Sequence, residues 1–242
     1  MIPIRDLNPT RIFPIVTVAL ILVNVGAFLW QPASGTQEEI DFLYERAGIA
    51  CELTTGEPLT LTEAARDQCV ADSTEAPVFP DKNIWLAGIV SMFLHGGLFH
   101  ILGNMWFLWI FGNNIEEAFG TFGFLVMYLA AGVVATAAFV LTNPDATVPL
   151  VGASGAIAGV LGAYLVLFPA HQVLTLLVFF FVPIPAILFL GLWFLSQFGI
   201  ADVGVAWEAH VGGFVFGVLV TLPLREVLLR RVAGLHGTVR YV

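Results

Sequence analysis

FPIVTVALILVNVGAFLW, residues 13–30, is an 18-residue run without a formal charge, just long enough to cross the hydrocarbon core of a bilayer. A cleaved signal peptide is the competing reading, with Ala33-Ser34-Gly35 imitating a cleavage site, but the run exceeds the usual apolar core of about 7–15 residues. Composition extends the membrane reading to the whole chain. Of 242 residues, 58% are apolar and 11% charged, and the mean hydropathy is +0.90. So few polar side chains cannot cover a water-soluble globule. Disordered chains and coiled coils are excluded on the same ground. Nine Lys and Arg against 18 Asp and Glu exclude nucleic acid as a partner, because that would need a basic face. The partner is the lipid bilayer.

Five more apolar stretches lie beyond it: about 89–112, 122–141, Gly152 to near Phe168-Pro169, 173–198, and about Trp207 to Leu224. A polar turn at Gly112-Asn113-Asn114, with Glu116, Glu117 and Gly120, separates the second from the third. The start of the fifth is open. VLTLLVFFFV (173–182) is too short to cross, and Pro183 and Pro185 interrupt the helix beyond it, so its first third reads as an interfacial or re-entrant piece. Arg5 and Arg11 precede the first stretch, while Arg225, Arg230, Arg231 and Arg240 come after the last. That places both termini in the cytoplasm and requires an even number of crossings. The expected fold is an all-α membrane protein: a cytoplasmic segment at 1–12, a six-helix core at 13–225 and a basic cytoplasmic tail at 226–242.

Between 36 and 82 lie Glu38, Glu39, Asp41, Glu45, Glu52, Glu57, Glu63, Asp67, Asp72, Glu75 and Asp81, against Arg46, Arg66 and Lys82. The topology makes this stretch an acidic extracytoplasmic insertion between the first two helices, too short for an independent domain with a full core. It holds the chain's two cysteines, Cys51 and Cys69. An even pair in an exported loop suggests a disulfide; two unpaired thiols are the alternative, because spacing does not establish bridge geometry.

Ionisable and polar groups inside a membrane are costly, and each is a functional candidate. The fourth stretch opens Gly152-Ala153-Ser154-Gly155-Ala156. Ser154 reads either as a helix N-cap among small packing residues or as a nucleophile whose helix start aims backbone N–H groups at an oxyanion. With Ala at 156 it is not the GxSxG elbow. The sixth stretch carries His210, which satisfies a neighbouring carbonyl or serves as a general base. Gly155 with Gly159, and Gly213 with Gly217, form two GxxxG faces that let the fourth and sixth helices approach closely enough for Ser154 and His210 to meet. His100 and Asn104, four apart, share one face of the second helix and suit an oxyanion hole. His95 points elsewhere and reads as structural. A metal site is the competing reading for two histidines, but HExxH is absent and no carboxylate shares the His100 face.

HGGLFHILGNMWFLW at 95–109, GASGAIAG at 152–159 and AHVGGFVFG at 209–217 resemble the signature blocks of the rhomboid intramembrane serine proteases. The resemblance covers roughly residues 10–225 and leaves the acidic insertion outside. It implies a rhomboid-like bundle with Ser154 as nucleophile, His210 as base and no acid. Consistent with that, Glu208 stands about 200° around the helix from His210. It further implies an oxyanion hole of His100, Asn104 and the Ser154 N–H, with Gly152 as the motif glycine, Gly155 beside the serine, His95 at the mouth of the second helix and Glu116 near its inner end. Ala158 departs from members that stack a tyrosine on the histidine, which leaves open what orients the His210 ring.

The implied activity is hydrolysis of peptide bonds in or near the transmembrane helices of substrate proteins, with no cofactor and no metal. The fifth stretch, the least regular, reads as a lateral gate. The implied address is the cell membrane, as an integral multi-pass protein; nothing in the sequence sets an oligomeric state. One alternative is a catalytically inactive rhomboid-like protein that binds membrane clients, but such relatives lack the serine or the histidine. A transporter would show paired half-length helices with related patterns, and no internal repeat is evident.

Overall fold

The computed structural model describes residues 1–70, 74–198 and 205–237. Most of the connection between the stretches expected at 173–198 and from Trp207, together with Asp72 and Arg240, lies outside them. The 13–30 run forms α1 (Ile15–Trp30), entered through Pro14 and left at Gln31, before Pro32. Proline is tolerated at a helix start and disfavours helix in the residue before it. No side chain of its own caps α1. The cap comes from α6 (Leu98–Phe119). Glu116 accepts from Val16 N at 2.9 Å, Thr17 N at 2.8 Å and Thr17 Oγ1 at 2.9 Å. Glu117 accepts from the backbone N–H of Arg11 and from Ile12 N at 3.1 Å. Glu116 thus satisfies donors that the helix start leaves unpaired, Glu117 holds the segment leading into it, and the positive end of the helix favours the Glu116 charge.

This corrects the expected polar turn at 112–121. Gly112 through Phe119 continue α6, and only Gly120, at φ 75°, separates it from α7 (Thr121–Thr142). Asn114, Glu116 and Glu117 are buried because their partners lie on other elements. The N-terminal side of α6 is also displaced from expectation. A short α5 (Ile84–Val90) and a 3-10 turn at Ser91–Phe93 precede it, and the two parts bend by 75°.

The chain is mostly helical, and two small sheets qualify the expected all-α pattern. β1 (Ile2–Asp6), β4 (Gln172–Leu177) and β5 (Phe180–Pro185) form one antiparallel sheet in that order. The start of the expected fifth span is therefore a hairpin, and α9 covers only Ala186–Gln197. Aromatic and β-branched residues favour the strand, and Pro183 and Pro185, which lack an N–H, are accommodated because β5 is an edge. The second sheet pairs β2 (Gly48–Ile49) with β3 (Pro149–Leu150).

The described residues of 36–82 include α2 (Gln37–Arg46), α3 (Ala50–Thr55) and α4 (Leu61–Arg66), gathered around Ile49, Cys51 and Leu59. Cys51 and Cys69 are bonded to each other, with Cα atoms 5.7 Å apart. Lys82 Nζ meets Glu52 Oε2 at 2.6 Å and donates to Tyr44 O at 2.6 Å in a fully buried position. Burial raises the Glu52 carboxyl and lowers the Lys82 ammonium, each toward its neutral form, while their pairing opposes both.

α8 (Ser154–Leu167) lies at the centre, packed on α7 and on α10 (Trp207–His236). By length and composition α7 and α10 can each cross a membrane, and the bent α5–α6 pair makes a third span if taken as one. α1, α8 and α9 are shorter apolar helices; at 14 residues α8 is about 21 Å long. α10 runs past the expected end at Leu224, with Pro223 inside it. Its extension is anchored by Arg231 Nε donating to Glu117 O at 3.2 Å and by His236 Nε2 at 2.6 Å from Glu117 Oε1.

The α8–α10 contact has no room for a side chain. A Cβ on Gly213 would stand 2.0 Å from Gly155 O, and one on Gly217 would stand 2.0 Å from Gly159 O. Gly217→Ala is expected to cost about 1–3 kcal/mol through forced separation of the helices, read as a lower Tm in detergent. Gly191→Ala on α9, where a Cβ would meet nothing within 4 Å, leaves Tm near wild type.

β1 is anchored through Asp6, which accepts from Asn114 Nδ2 and from Tyr164 Oη at 3.0 Å. Burial raises the Asp6 carboxyl from 3.8 to about 6, against those hydrogen bonds. Its contribution is thus full below the unfolded value and is lost as pH rises through about 6. Between pH 4 and 7 the Tm of wild type should fall relative to Asp6→Asn, by an amount worth at most about 3 kcal/mol. A pH-independent difference between the two would contradict this account.

Candidate active site

Ser154 is the first residue of α8, and the turn that presents it is set by Gly152. Gly152 has φ +122°, a conformation side-chain-bearing residues rarely adopt, and its N–H donates to Ser91 O at 2.9 Å. A Cβ there would stand 2.8 Å from His100 Nε2 and Cε1 and 3.5 Å from Ser154 Oγ. Imidazole and hydroxyl therefore share one side of the glycine. Gly155 fills the place after the serine, with Ala135 Cβ 2.5 Å from where its own Cβ would be.

His210 sits in the first turn of α10, and its Nε2 is 2.8 Å from Ser154 Oγ. Its Nδ1 is 2.7 Å from Gln197 Oε1, at the last residue of α9. The Trp193 ring lies beside the imidazole, with centroids 6.2 Å apart. Neither Gln197 nor Trp193 stands out in the sequence. The available signal was an amide within an apolar helix, uncharged and so less conspicuous than a histidine. Ala158, the position left open for orienting the ring, is buried in the core.

Asn104 is buried, and its Nδ2 has no hydrogen-bond partner among the described residues. Such a donor is expensive unless something fills it. It lines a cavity of about 890 Å³ together with Ser154, His210, His100, Gln197 and Trp193. His95 is fully buried; its ring packs edge-on against His100 at 5.1 Å, and its backbone exchanges two 2.9 Å hydrogen bonds with Gln31 at the end of α1. Glu116 is apart from this group, capping α1. Among the described residues Cys51, Glu63 and Cys69 have metal-ligand proximity, but the two sulfurs are joined to each other, which leaves no thiolate to bind an ion. Chemically, the arrangement can pass a proton from a hydroxyl to an imidazole beside a cavity holding an unfilled donor.

The rhomboid domain family model matches residues 82–227. The chain belongs to the rhomboid family. The match begins at Lys82, so α1 and residues 36–81 lie outside it, later than the residue-10 start read from the sequence. This rhomboid is similar to Rhomboid protease GluP of Bacillus subtilis, 31% identical over 140 residues, covering 58% of this chain and 26% of that protein. It is also similar to Rhomboid protein 1, mitochondrial, of Saccharomyces cerevisiae (36% over 145 residues; 54% and 39% covered). Presenilin-associated rhomboid-like protein A, mitochondrial, of Danio rerio is 32% identical over 147 residues (57% and 37% covered). The matched region thus spans about a quarter to two fifths of these relatives. Membrane-spanning helices and family membership make the chain an integral membrane protein. The expected cell-membrane address gains no support, because two of these three relatives are mitochondrial by name.

Proposed function

We propose that this rhomboid is an intramembrane serine endopeptidase that cleaves peptide bonds in or near transmembrane helices of other proteins. The reading rests on the 2.8 Å approach of Ser154 Oγ to His210 Nε2 across the α8–α10 interface. His210 Nε2 takes the hydroxyl proton as Oγ attacks the scissile carbonyl carbon. The carbonyl π electrons move to oxygen, and the resulting oxyanion is met by His100, Asn104 Nδ2 and the Ser154 N–H. Collapse of the tetrahedral intermediate breaks the C–N bond, and His210 returns the proton to the leaving amine. Water, activated by the same imidazole, then hydrolyses the acyl-enzyme.

Ser154 and His210 each open a helix, so the chemistry stands at the ends of α8 and α10 rather than midway along them. Water then need not reach the bilayer centre. In this reading the six apolar segments α1, α5–α6, α7, α8, α9 and α10 cross the membrane, with α8 shielded from lipid by the others and so free to be short. Both termini are cytoplasmic, and residues 36–82 with their disulfide lie on the opposite side. α9, joined to a β-hairpin instead of a full-length span, is the lateral gate.

Ser154→Ala should abolish both cleavage of a transmembrane reporter and labelling by a fluorophosphonate, with Tm near wild type. Wild-type turnover in that variant would overturn the proposal. His100→Ala and Asn104→Ala should each lower kcat about 10²–10³-fold with little change in KM. A raised KM at unchanged kcat would assign them to substrate binding instead.

A further inference from the structure

We propose that Gln197 is the positioning residue for His210, a neutral third member that fixes the tautomer and aim of the imidazole; this rests on the serine-protease reading above. The amide's orientation is decided by its own helix. Gln197 Nε2 donates to Trp193 O, one turn back, at 2.8 Å, and lies 3.3 Å from Ser196 Oγ. Exchanging the amide atoms would put two oxygens face to face at Trp193. Oε1 is therefore the atom 2.7 Å from His210 Nδ1. An amide oxygen can only accept, so Nδ1 must carry the proton. In a neutral imidazole that leaves the lone pair on Nε2, which faces the Ser154 hydroxyl at 2.8 Å. The other tautomer would set two lone pairs against each other at Nδ1 and direct an N–H at the serine, where it cannot act as a base.

No carboxylate takes this place. Glu208, the nearest acid in sequence, is two residues before His210 and has no hydrogen bond or ion pair to it among the described residues. Gln197 is 4% exposed at the end of an apolar helix. An ionised acid there would be expensive, whereas an amide with both ends hydrogen-bonded orients the ring without adding a charge. Trp193, one turn earlier on α9, flanks the same ring and packs on Phe214 of α10 at 6.0 Å. The position of α9 is thus linked to the competence of the base.

The test uses the full chain in detergent, with three measurements. NMR of nitrogen-labelled histidine, with His210 assigned by difference from His210→Ala, should show the Nδ1–H tautomer in wild type. A resting Nε2–H form would overturn the proposal without reference to activity. Gln197→Leu should lower kcat about 10–100-fold with KM nearly unchanged, and Gln197→Glu, which keeps an acceptor, should recover most of that loss while moving the acid limb of the pH–kcat profile upward. If Gln197→Leu keeps the wild-type kcat and pH profile while Ser154→Ala is inactive, Gln197 has no such role and the protease reading stands. If wild type neither cleaves nor takes a fluorophosphonate at Ser154, the protease reading fails and takes the positioning role with it.

Discussion

At Gly162 of α8 and at Gly213 and Gly217 of α10, the two backbones pass so close that a single methyl group on either helix would collide with a carbonyl of the other. In lipid, helices gain nothing from burying apolar surface, because the tails are as apolar as leucine; contact must come from dispersion and from backbone approach. Small residues supply both. α7 joins the same seam through Ala131 and Ala135, whose methyl groups fill the space a side chain at Gly159 or Gly155 would need. The Ser154–His210 distance is set by this seam. Wider spacing would carry the imidazole beyond hydrogen-bond reach, whatever the loops did.

The second organising rule is that polar groups are satisfied across elements. α1 has no cap of its own and draws on Glu116, while Glu117 holds the segment leading into α1 and also engages the far end of α10. Glu116 and Glu117 therefore tie α1, α6 and α10 together at the end opposite the serine, and Asn114 adds β1 through Asp6. At the serine end, Gln31 does the equivalent for the His95 backbone. Each link joins residues far apart in sequence, and each pairs polar groups that would otherwise lack partners inside the protein.

That rule also marks how much could be read from the chain alone. Ser154, His210, His100 and Asn104 stood out because hydroxyl, imidazole and amide groups are out of place in apolar runs, and the GxxxG pairs indicated which helices would meet. The continuation of α6 to Phe119 was hidden, because Glu116 and Glu117 look like a loop until their partners on α1 and α10 are known. The 172–185 hairpin was hidden for a related reason: its apolar run has the composition of a span, and only the docking of β1 onto it favours a strand. Gln197 carries no charge and sits in no motif. Its role depends on Trp193 turning the amide and on the rotation of α9 toward α10, neither of which one dimension records.

The β2–β3 pairing has a kinetic consequence. Gly48 pairs with Leu150, and its N–H also donates to Ser91 Oγ at 2.6 Å, while Ser91 O receives the N–H of Gly152 at 2.9 Å. Three segments separated by some forty to a hundred residues converge immediately before the serine. Contacts of such separation form late, because the loop-closure entropy must be met before any of them contributes. A chain synthesised from its N-terminus has all three in hand before α10, and so before the imidazole, emerges. Slow as its closure is, the turn that presents the hydroxyl can therefore begin to form before α10 arrives to close the seam and complete the pair.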